Sequence, residues 1–378
     1  MSESNPTPLP TVDALVIGAG PAGIGAALAL QSVDSITYGV IDRGGIGQTY
    51  MDWNPWTRFL TPSFTGNAFG AIDLNAIHPE TSPALLLQTD YPSGEAYAHY
   101  LRKVTELFKL PVVEDTAVEA VSLNDNNEFV ITTARGELTA NNVVWAGGEF
   151  SSPNTPEIPG AEHGIHSSQA QAWEPAEQSE VTVIGGYESG IDMACSLTSR
   201  GHTVTVLDPK SPWEVVGSDP SLTLSPRTRQ RLRIAQKTDR LTLVGDASAT
   251  SITVDGGQYV VTASNGNTYQ TQHPPVFATG YHPHLGPVAH MFESRDDGWP
   301  LLNSDDESTI QPGLFLSGPA VRHKNLHLCF IYKFRQRFAH IAHVIGTRGG
   351  YDTTALKAWK SAGMWVEDVS CCDKSCVC

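Results

Sequence analysis

A strand, a glycine-rich turn, a helix and a second strand closed by an acidic residue occur twice in this chain. Val12–Ile17, apolar apart from Asp13, reads as a buried strand. Gly18, Ala19, Gly20, Pro21, Ala22 and Gly23 follow at once. Ile24–Gln31 is rich in Ala and Leu and predicts a helix, and a second strand over Ile36–Ile41 ends at Asp42. The same order returns with Val181–Ile184, the turn Gly185-Gly186-Tyr187-Glu188-Ser189-Gly190, a helix from Ile191, and a strand Val204–Leu207 ending at Asp208. Such a repeat restricts the chain to an α/β fold with two parallel-sheet units of the Rossmann kind.

The spacing has a physical reason. A dinucleotide carries a pyrophosphate, and a helix N-terminus offers free N–H groups and the positive end of a dipole. Gly18 lets the chain turn, Gly20 lets the backbone approach the phosphates, and Gly23 lets helix and strand pack closely. Pro21 and Ala22 lie inside the turn and Gln48 just beyond the second strand, so they join the candidate cofactor contacts. Asp42 is placed to accept from ribose hydroxyls; the alternative is a tight glycine turn with no ligand. In the second unit Gly185, Gly186, Ser189 and Gly190 are the corresponding candidates, but Tyr187 replaces the middle glycine. Its ring either hinders a pyrophosphate, leaving a purely structural unit, or stacks on it. Asp208 favours an unphosphorylated ribose and hence NADH. Lys210 with Arg227, Arg229, Arg231 and Arg233 instead suits the 2′-phosphate of NADPH. Ser225-Pro226 predicts a helix start at that arginine run, which reads equally as a solvated helix.

The chain has 378 residues, enough for two domains and a tail. Its 40 acidic against 24 basic residues give a net charge of −16, which argues against a nucleic-acid partner. No long uncharged apolar run suggests a membrane span, the N-terminus lacks the marks of a signal peptide, and a cytoplasmic location is expected. Thr116–Val121, Phe129–Thr133 and Glu137–Leu138 predict a small antiparallel sheet leading into Val143–Trp145. Ser151–Gly160 is a proline-rich crossing between domains. Strands over 241–244, 251–254, 258–263 and 276–280 continue a parallel pattern, and Phe330–Ile345 predicts one long helix. The expected domains are 1–150 plus 275–350, with 151–274 inserted, and a tail over 351–378.

Val144-Trp145-Ala146-Gly147-Gly148 and Phe277-Ala278-Thr279-Gly280-Tyr281 resemble the paired strand-and-turn elements of flavoproteins with two dinucleotide domains. The likeness spans nearly the whole chain. The second turn and Phe277–Tyr281 are similar to flavin-containing monooxygenases. The whole, with Tyr91-Pro92-Ser93-Gly94 before a helix, looks closer to bacillithiol-disulfide-reductase-like proteins. The resemblance implies FAD in the first unit, NADPH or NADH in the second, and hydride transfer through flavin N5. It adds Ala146, Gly147, Thr279, Gly280 and Gly318 to the cofactor contacts. The chain also departs from these patterns. Glu162 stands where the monooxygenase fingerprint has glycine, Ala22 where bacillithiol-type reductases often have cysteine, and Pro319 where the flavin-holding Gly-Asp pair has its acid. No CxxC pair lies beside either turn.

Four of the six cysteines, Cys371, Cys372, Cys376 and Cys378, crowd into the last eight residues. They read as a dithiol relay, as a soft-metal trap or as a tail without a role. Cys195 and Cys329 sit in apolar contexts and read as inert core. The paired histidines His282/His284, His323/His327 and His340/His343 complete no metal signature, and no metal site is expected. Trp53, Trp56 and Phe59 are either a flavin wall or plain core. The leading expectation is an oxidoreductase passing hydride through flavin to a thiol, disulfide or thiol-bound metal acceptor via the four tail cysteines, a relay that also suits a homodimer. The alternatives are a monooxygenase acting on a small N or S nucleophile, and a flavin-binding redox sensor with a degenerate nicotinamide site.

Overall fold

The computed structural model describes residues 11–66, 70–217 and 219–369. Two units emerge from the described residues: those within 11–51, 62–149 and 283–369 form unit 1, and those within 52–61 and 150–282 form unit 2. The chain runs through unit 1 as β1 (Val12–Ile17), α1 (Pro21–Gln31), β2 (Tyr38–Ile41), α2 (Gln48–Met51), α3 (Pro83–Leu87), α4 (Gly94–Phe108), β3 (Val112–Val113), β4 (Val118–Leu123), β5 (Phe129–Thr133) and β6 (Gly136–Trp145). In unit 2 come β7 (Ile165–His166), β8 (Glu180–Ile184), α5 (Glu188–Ser199), β9 (Thr203–Leu207), α6 (Pro226–Ala235), β10 (Leu241–Val244), β11 (Ala249–Asp255), β12 (Gln258–Ala263), β13 (Thr268–Thr271) and β14 (Val276–Phe277). Unit 1 resumes with β15 (Leu314–Leu316), β16 (Arg322–His323), β17 (Leu326–His327), α7 (Ile331–Phe334), α8 (Phe338–Arg348) and α9 (Lys357–Ser361).

Among the described residues unit 1 has a seven-stranded sheet in the order β3-β2-β1-β6-β5-β4, with β15 also on β6. β6 explains this branching. Its first half pairs antiparallel with β5 and its second half parallel with β15, while β1 runs parallel along its other side. The expected small antiparallel sheet is therefore the edge of the main sheet, because one ten-residue strand belongs to both parts. The apolar helix α1 is buried along Ala22–Leu30, and Phe338 of α8 lies flat against Gly25. A side chain at Gly25 would be driven into that ring.

The predicted long helix over 330–345 is broken into α7, a 3-10 turn at Arg335–Arg337, and α8. The break places two guanidinium groups in the interior. Arg335 donates to the carbonyls of Asp73 and Ala76. Arg337 donates to Asp306 at 2.7 Å and to the Val366, Glu367 and Ser304 carbonyls.

Unit 2 holds a five-stranded parallel sheet, β10-β9-β8-β14-β7, and a three-stranded antiparallel sheet, β11-β12-β13. Here the parallel expectation for 251–254 and 258–263 fails. Gly256 and Gly257, both at positive φ, make a two-residue hairpin turn, and a parallel crossover needs far more chain. The helix start at Ser225-Pro226 is as expected, with the Ser225 hydroxyl accepting from the Thr228 amide at 3.2 Å. Residues 52–61 group with unit 2, and Trp56, 46% exposed, stacks on Arg200 at the C-terminal end of α5. Trp56 is thus not plain core. No described helix is long and apolar enough to cross a membrane.

Candidate functional site

The two glycine turns are built by the same hydrogen bonds. The Gly18 amide donates to the Ile41 carbonyl at 2.8 Å, and the Gly185 amide to Leu207 at 2.9 Å. The Ala146 amide reaches Ile17 and the Ala278 amide reaches Ile184, both at 2.8 Å. Gly18 and Gly185 adopt φ of +112° and +104°, a region that favours glycine. A side chain on either would strike the carbonyl of Ala146 or Ala278. Side chains on Gly23 and Gly190 would strike the carbonyls of Gly18 and Gly185. These four glycines are thus demanded by the packing of strand, turn and helix, ligand or no ligand.

Gly20 is different. It has φ −79° and ψ −174°, which any residue adopts, and a side chain there would meet nothing within 4 Å. It leaves open space at the entry to α1, where no side chain caps the helix. Pro21 opens the helix and Ala22 follows, with Gly318 (φ +112°) so close that a methyl group on it would lie 3.0 Å from the Ala22 Cβ. Gly47 donates to the Ala19 carbonyl at 3.0 Å, bringing Gln48, the first residue of α2, beside the same turn. Ala146 and Gly147 follow β6 directly, and the Trp145 indole below them donates to the His284 carbonyl at 2.7 Å. Unit 1 therefore gathers its predicted contacts around the open corner at Gly20.

The two acids have matching tasks. Asp42 accepts from the Ala19 amide at 2.6 Å and the Gly44 amide at 2.8 Å. Asp208 accepts from the Gly186 and Lys210 amides, both at 2.7 Å. Each carboxylate braces its turn and keeps further lone pairs for a ribose.

In unit 2 the Tyr187 hydroxyl donates to the Pro220 and Thr223 carbonyls at 3.2 and 3.1 Å, committing the ring to that loop. Ser189 and Gly190 continue α5. Of the arginine run, Arg227 and Arg231 pair with Asp192, and Arg229 holds the Leu224 and Val215 carbonyls. That leaves Lys210 and Arg233 as the exposed cations of the group. Thr279 and Gly280 are held by two residues that the motifs did not single out as site residues. Asn154 donates its side-chain amide to the Thr279 carbonyl at 3.1 Å and its backbone amide to Gly280 at 2.9 Å. His166 Nδ1 accepts from the Ser168 amide at 3.1 Å, so its Nε2–H donates to Gly280 at 3.0 Å. Burial lowers the pKa of this imidazole, which keeps it in that neutral form. The sequence signal for Asn154 was its place in the proline-rich crossing.

Residues 15–318 match the pyridine nucleotide-disulphide oxidoreductase family. The chain belongs to this family. A curated relative, the bacilliredoxin reductase Bdr of Bacillus subtilis (strain 168), is 24% identical over 343 residues, covering 89% of this chain and 98% of the relative. The bacillithiol disulfide reductase Bdr of Staphylococcus aureus superposes with a TM-score of 0.72 at 22% identity, over 90% of this chain and 99% of that one. The ornithine N-hydroxylase of Kutzneria sp. 744 also gives a TM-score of 0.72, at 17% identity, over 90% and 100%. At these identities the two structures show a shared fold. A pyridine nucleotide-disulphide oxidoreductase is an enzyme.

Cys195 is buried in the core beneath α5, and burial pushes its thiol up to about 12, so it is inert as expected. Cys329 is exposed, contrary to the expectation of a core residue. Cys371, Cys372, Cys376 and Cys378 lie outside the described residues. Among the described residues no three His, Cys, Asp or Glu side chains come together as a metal site. The histidines serve local contacts: His323 with Asp306 at 2.5 Å, His340 with Asp305 at 2.9 Å, and His343 with Thr353 at 3.0 Å.

Glu149, just past Gly147 and Gly148, is a half-buried residue that sequence reasoning missed. Burial raises its pKa from the ordinary 4.5 to about 7, with Arg322 pulling the other way. A raised carboxyl contributes stability that is fully present below pH 4.5 and is lost as pH rises through about 7. Glu149→Gln, neutral throughout, should melt with the unaltered protein at pH 4 and above it at pH 8. Melting curves across that range check this, and a constant offset between the two would contradict it.

Proposed function

We propose that the chain is an FAD-dependent NAD(P)H oxidoreductase that delivers electrons to a disulfide or to a thiol-bound metal species. Gly20 carries the reading. Its missing side chain has no explanation in the packing, and a backbone that must come close to a pyrophosphate supplies one. In unit 1, Gly18, Gly20, Pro21, Ala22 and Gly23 hold the FAD diphosphate, Asp42 faces its ribose, and Gln48, Ala146, Gly147 and Gly318 border the same cofactor. In unit 2, Gly185, Gly186, Ser189, Gly190, Asp208, Thr279 and Gly280 take NADPH or NADH. FAD supplies two-electron chemistry between a nicotinamide and the acceptor.

The thiol acceptor is favoured by the family and by the bacilliredoxin reductase aligned across 98% of its length. The exit is assigned to Cys371, Cys372, Cys376 and Cys378, which can supply a dithiol, since Ala22 puts no thiol at the first turn, Cys195 is inert and the exposed Cys329 forms no disulfide with it. Lys374 stands among them in sequence and favours thiolate. The balance is simple. NAD(P)H gives up a hydride, the acceptor S–S bond takes the electron pair, and two S–H bonds form with one proton from solvent. One observation favours oxygen as the acceptor instead: neither described cysteine lies in a glycine turn.

Turnover separates the two. NADPH oxidation should be accelerated by an added disulfide with release of thiols, and removing residues 371–378 should abolish that acceleration. Release of hydrogen peroxide or a hydroxylated product, unchanged by the truncation, would contradict the thiol exit.

A further inference from the structure

The second turn differs from the first at one position beside the tyrosine. Where unit 1 has Ala19, unit 2 has Gly186. Gly186 is not at positive φ, so its backbone does not demand glycine. What demands it is a side chain from elsewhere: a methyl group on Gly186 would be driven into the six-membered ring of Trp213, and would lie 3.0 Å from the Asp208 Cβ.

Trp213 lies in the 3-10 turn Pro212–Glu214, in the loop that leaves β9. Its ring is half-buried against the core beneath α5. It also reaches the end of β10, where a methyl group on Gly245 would lie 3.9 Å from the ring. Ser211, at φ +46°, presses its hydroxyl into the same place, so that a side chain on Gly245 would collide with it. Arg229 fixes the far side of the loop through the Val215 carbonyl at 2.8 Å. The indole therefore occupies the slot between the carboxyl ends of β8, β9 and β10, next to Asp208. In a Rossmann unit the acid at this place marks the adenosine ribose. An indole is a flat fused bicycle much like a purine.

We propose that Trp213 fills the adenosine end of the second nucleotide site from within, and that displacing this indole, more than accommodating Tyr187, sets how tightly unit 2 takes a dinucleotide. The proposal rests on reading unit 2 as the pyridine-nucleotide domain and adds the residue that governs its affinity. Tyr187 is a poor candidate for that role because its hydroxyl is tied to the 220–223 loop. A competing internal group lowers the apparent affinity by the fraction of time the slot stands open, so removing it tightens binding.

The test uses the FAD-loaded full chain and ADP-ribose, which has the adenosine end and no nicotinamide. Calorimetry reads its binding to the unaltered protein, to Trp213→Ala and to Gly186→Ala. The second variant adds only the methyl that Ala19 already carries, and it expels the indole without deleting it. Both variants should bind ADP-ribose at least about tenfold tighter than the unaltered protein. Circular dichroism confirms the fold; should Trp213→Ala not fold, Gly186→Ala decides alone. Equal or weaker binding would overturn the proposal and make the indole a platform the nucleotide needs, or no part of the site. The outcomes separate from those of the parent reading. Tighter ADP-ribose binding without flavin reduction by NAD(P)H would sink the oxidoreductase reading only. Flavin reduction with no gain in the variants would sink the role of Trp213 only.

Discussion

Gly20→Glu should give a chain that folds and melts like the unaltered apoprotein but purifies almost without flavin. The backbone at Gly20 is ordinary and the space around its missing side chain is empty, so nothing in the fold opposes the substitution. The same space is the approach to the N-terminus of α1. A carboxylate there both blocks the approach and repels a diphosphate. A loss of at least about 100-fold in FAD affinity, about 2.8 kcal/mol, is expected. Gly18→Val or Gly23→Val would also lose flavin, but by breaking the turn, since both positions collide with main-chain carbonyls. Flavin content and apoprotein melting, measured together, separate the two causes. Full flavin occupancy in Gly20→Glu would remove the main support for a nucleotide at this turn.

Arg337→Met should destabilise unit 1 by about 3–5 kcal/mol, the usual cost of removing one member of a buried ion pair. Asp306 is fully buried between Arg337 at 2.7 Å and His323 at 2.5 Å. Burial alone would raise its carboxyl, but the Arg337 guanidinium and then His323 hold it below the ordinary 3.8. Its contribution is present above that ordinary value and is lost as pH falls through the depressed one, so the penalty of the variant shrinks in acid. A paired change, Asp306→Leu with Arg337→Met, should recover part of the loss because no uncompensated charge remains. Denaturant unfolding at pH 7 and pH 3 reads both effects. Equal penalties at the two pH values would contradict the assignment to this pair.

Local chemistry made much of this fold legible. The strand–glycine–helix–acid grammar located β1, α1, β2 and their counterparts β8, α5, β9, because Gly18, Gly23, Gly185 and Gly190 answer a steric demand of the turn itself. The limits follow from the same physics. Glycine at 18, 23, 185 and 190 reports a packed turn, while Gly20 has open space around it; the sequence does not distinguish them. The break between α7 and α8 was hidden because apolar periodicity continues across it, while the cause is two arginines reaching distant carbonyls. Gly186 looked like part of a glycine signature, and its reason, Trp213, lies a loop away. Asn154 and His166 hold Thr279 and Gly280 through contacts more than 100 residues apart, for which no local pattern exists.

As the oxidoreductase proposed above, the protein should pass a hydride from a bound nicotinamide to its flavin. The most direct measurement is an anaerobic titration of the purified FAD protein with NADPH and with NADH, following flavin absorbance and counting electrons taken up. Bleaching of the flavin is expected, with uptake of about four electrons per FAD in the full chain and about two once residues 371–378 are removed. A flavin that dithionite bleaches and neither nucleotide touches would contradict hydride transfer from a nicotinamide.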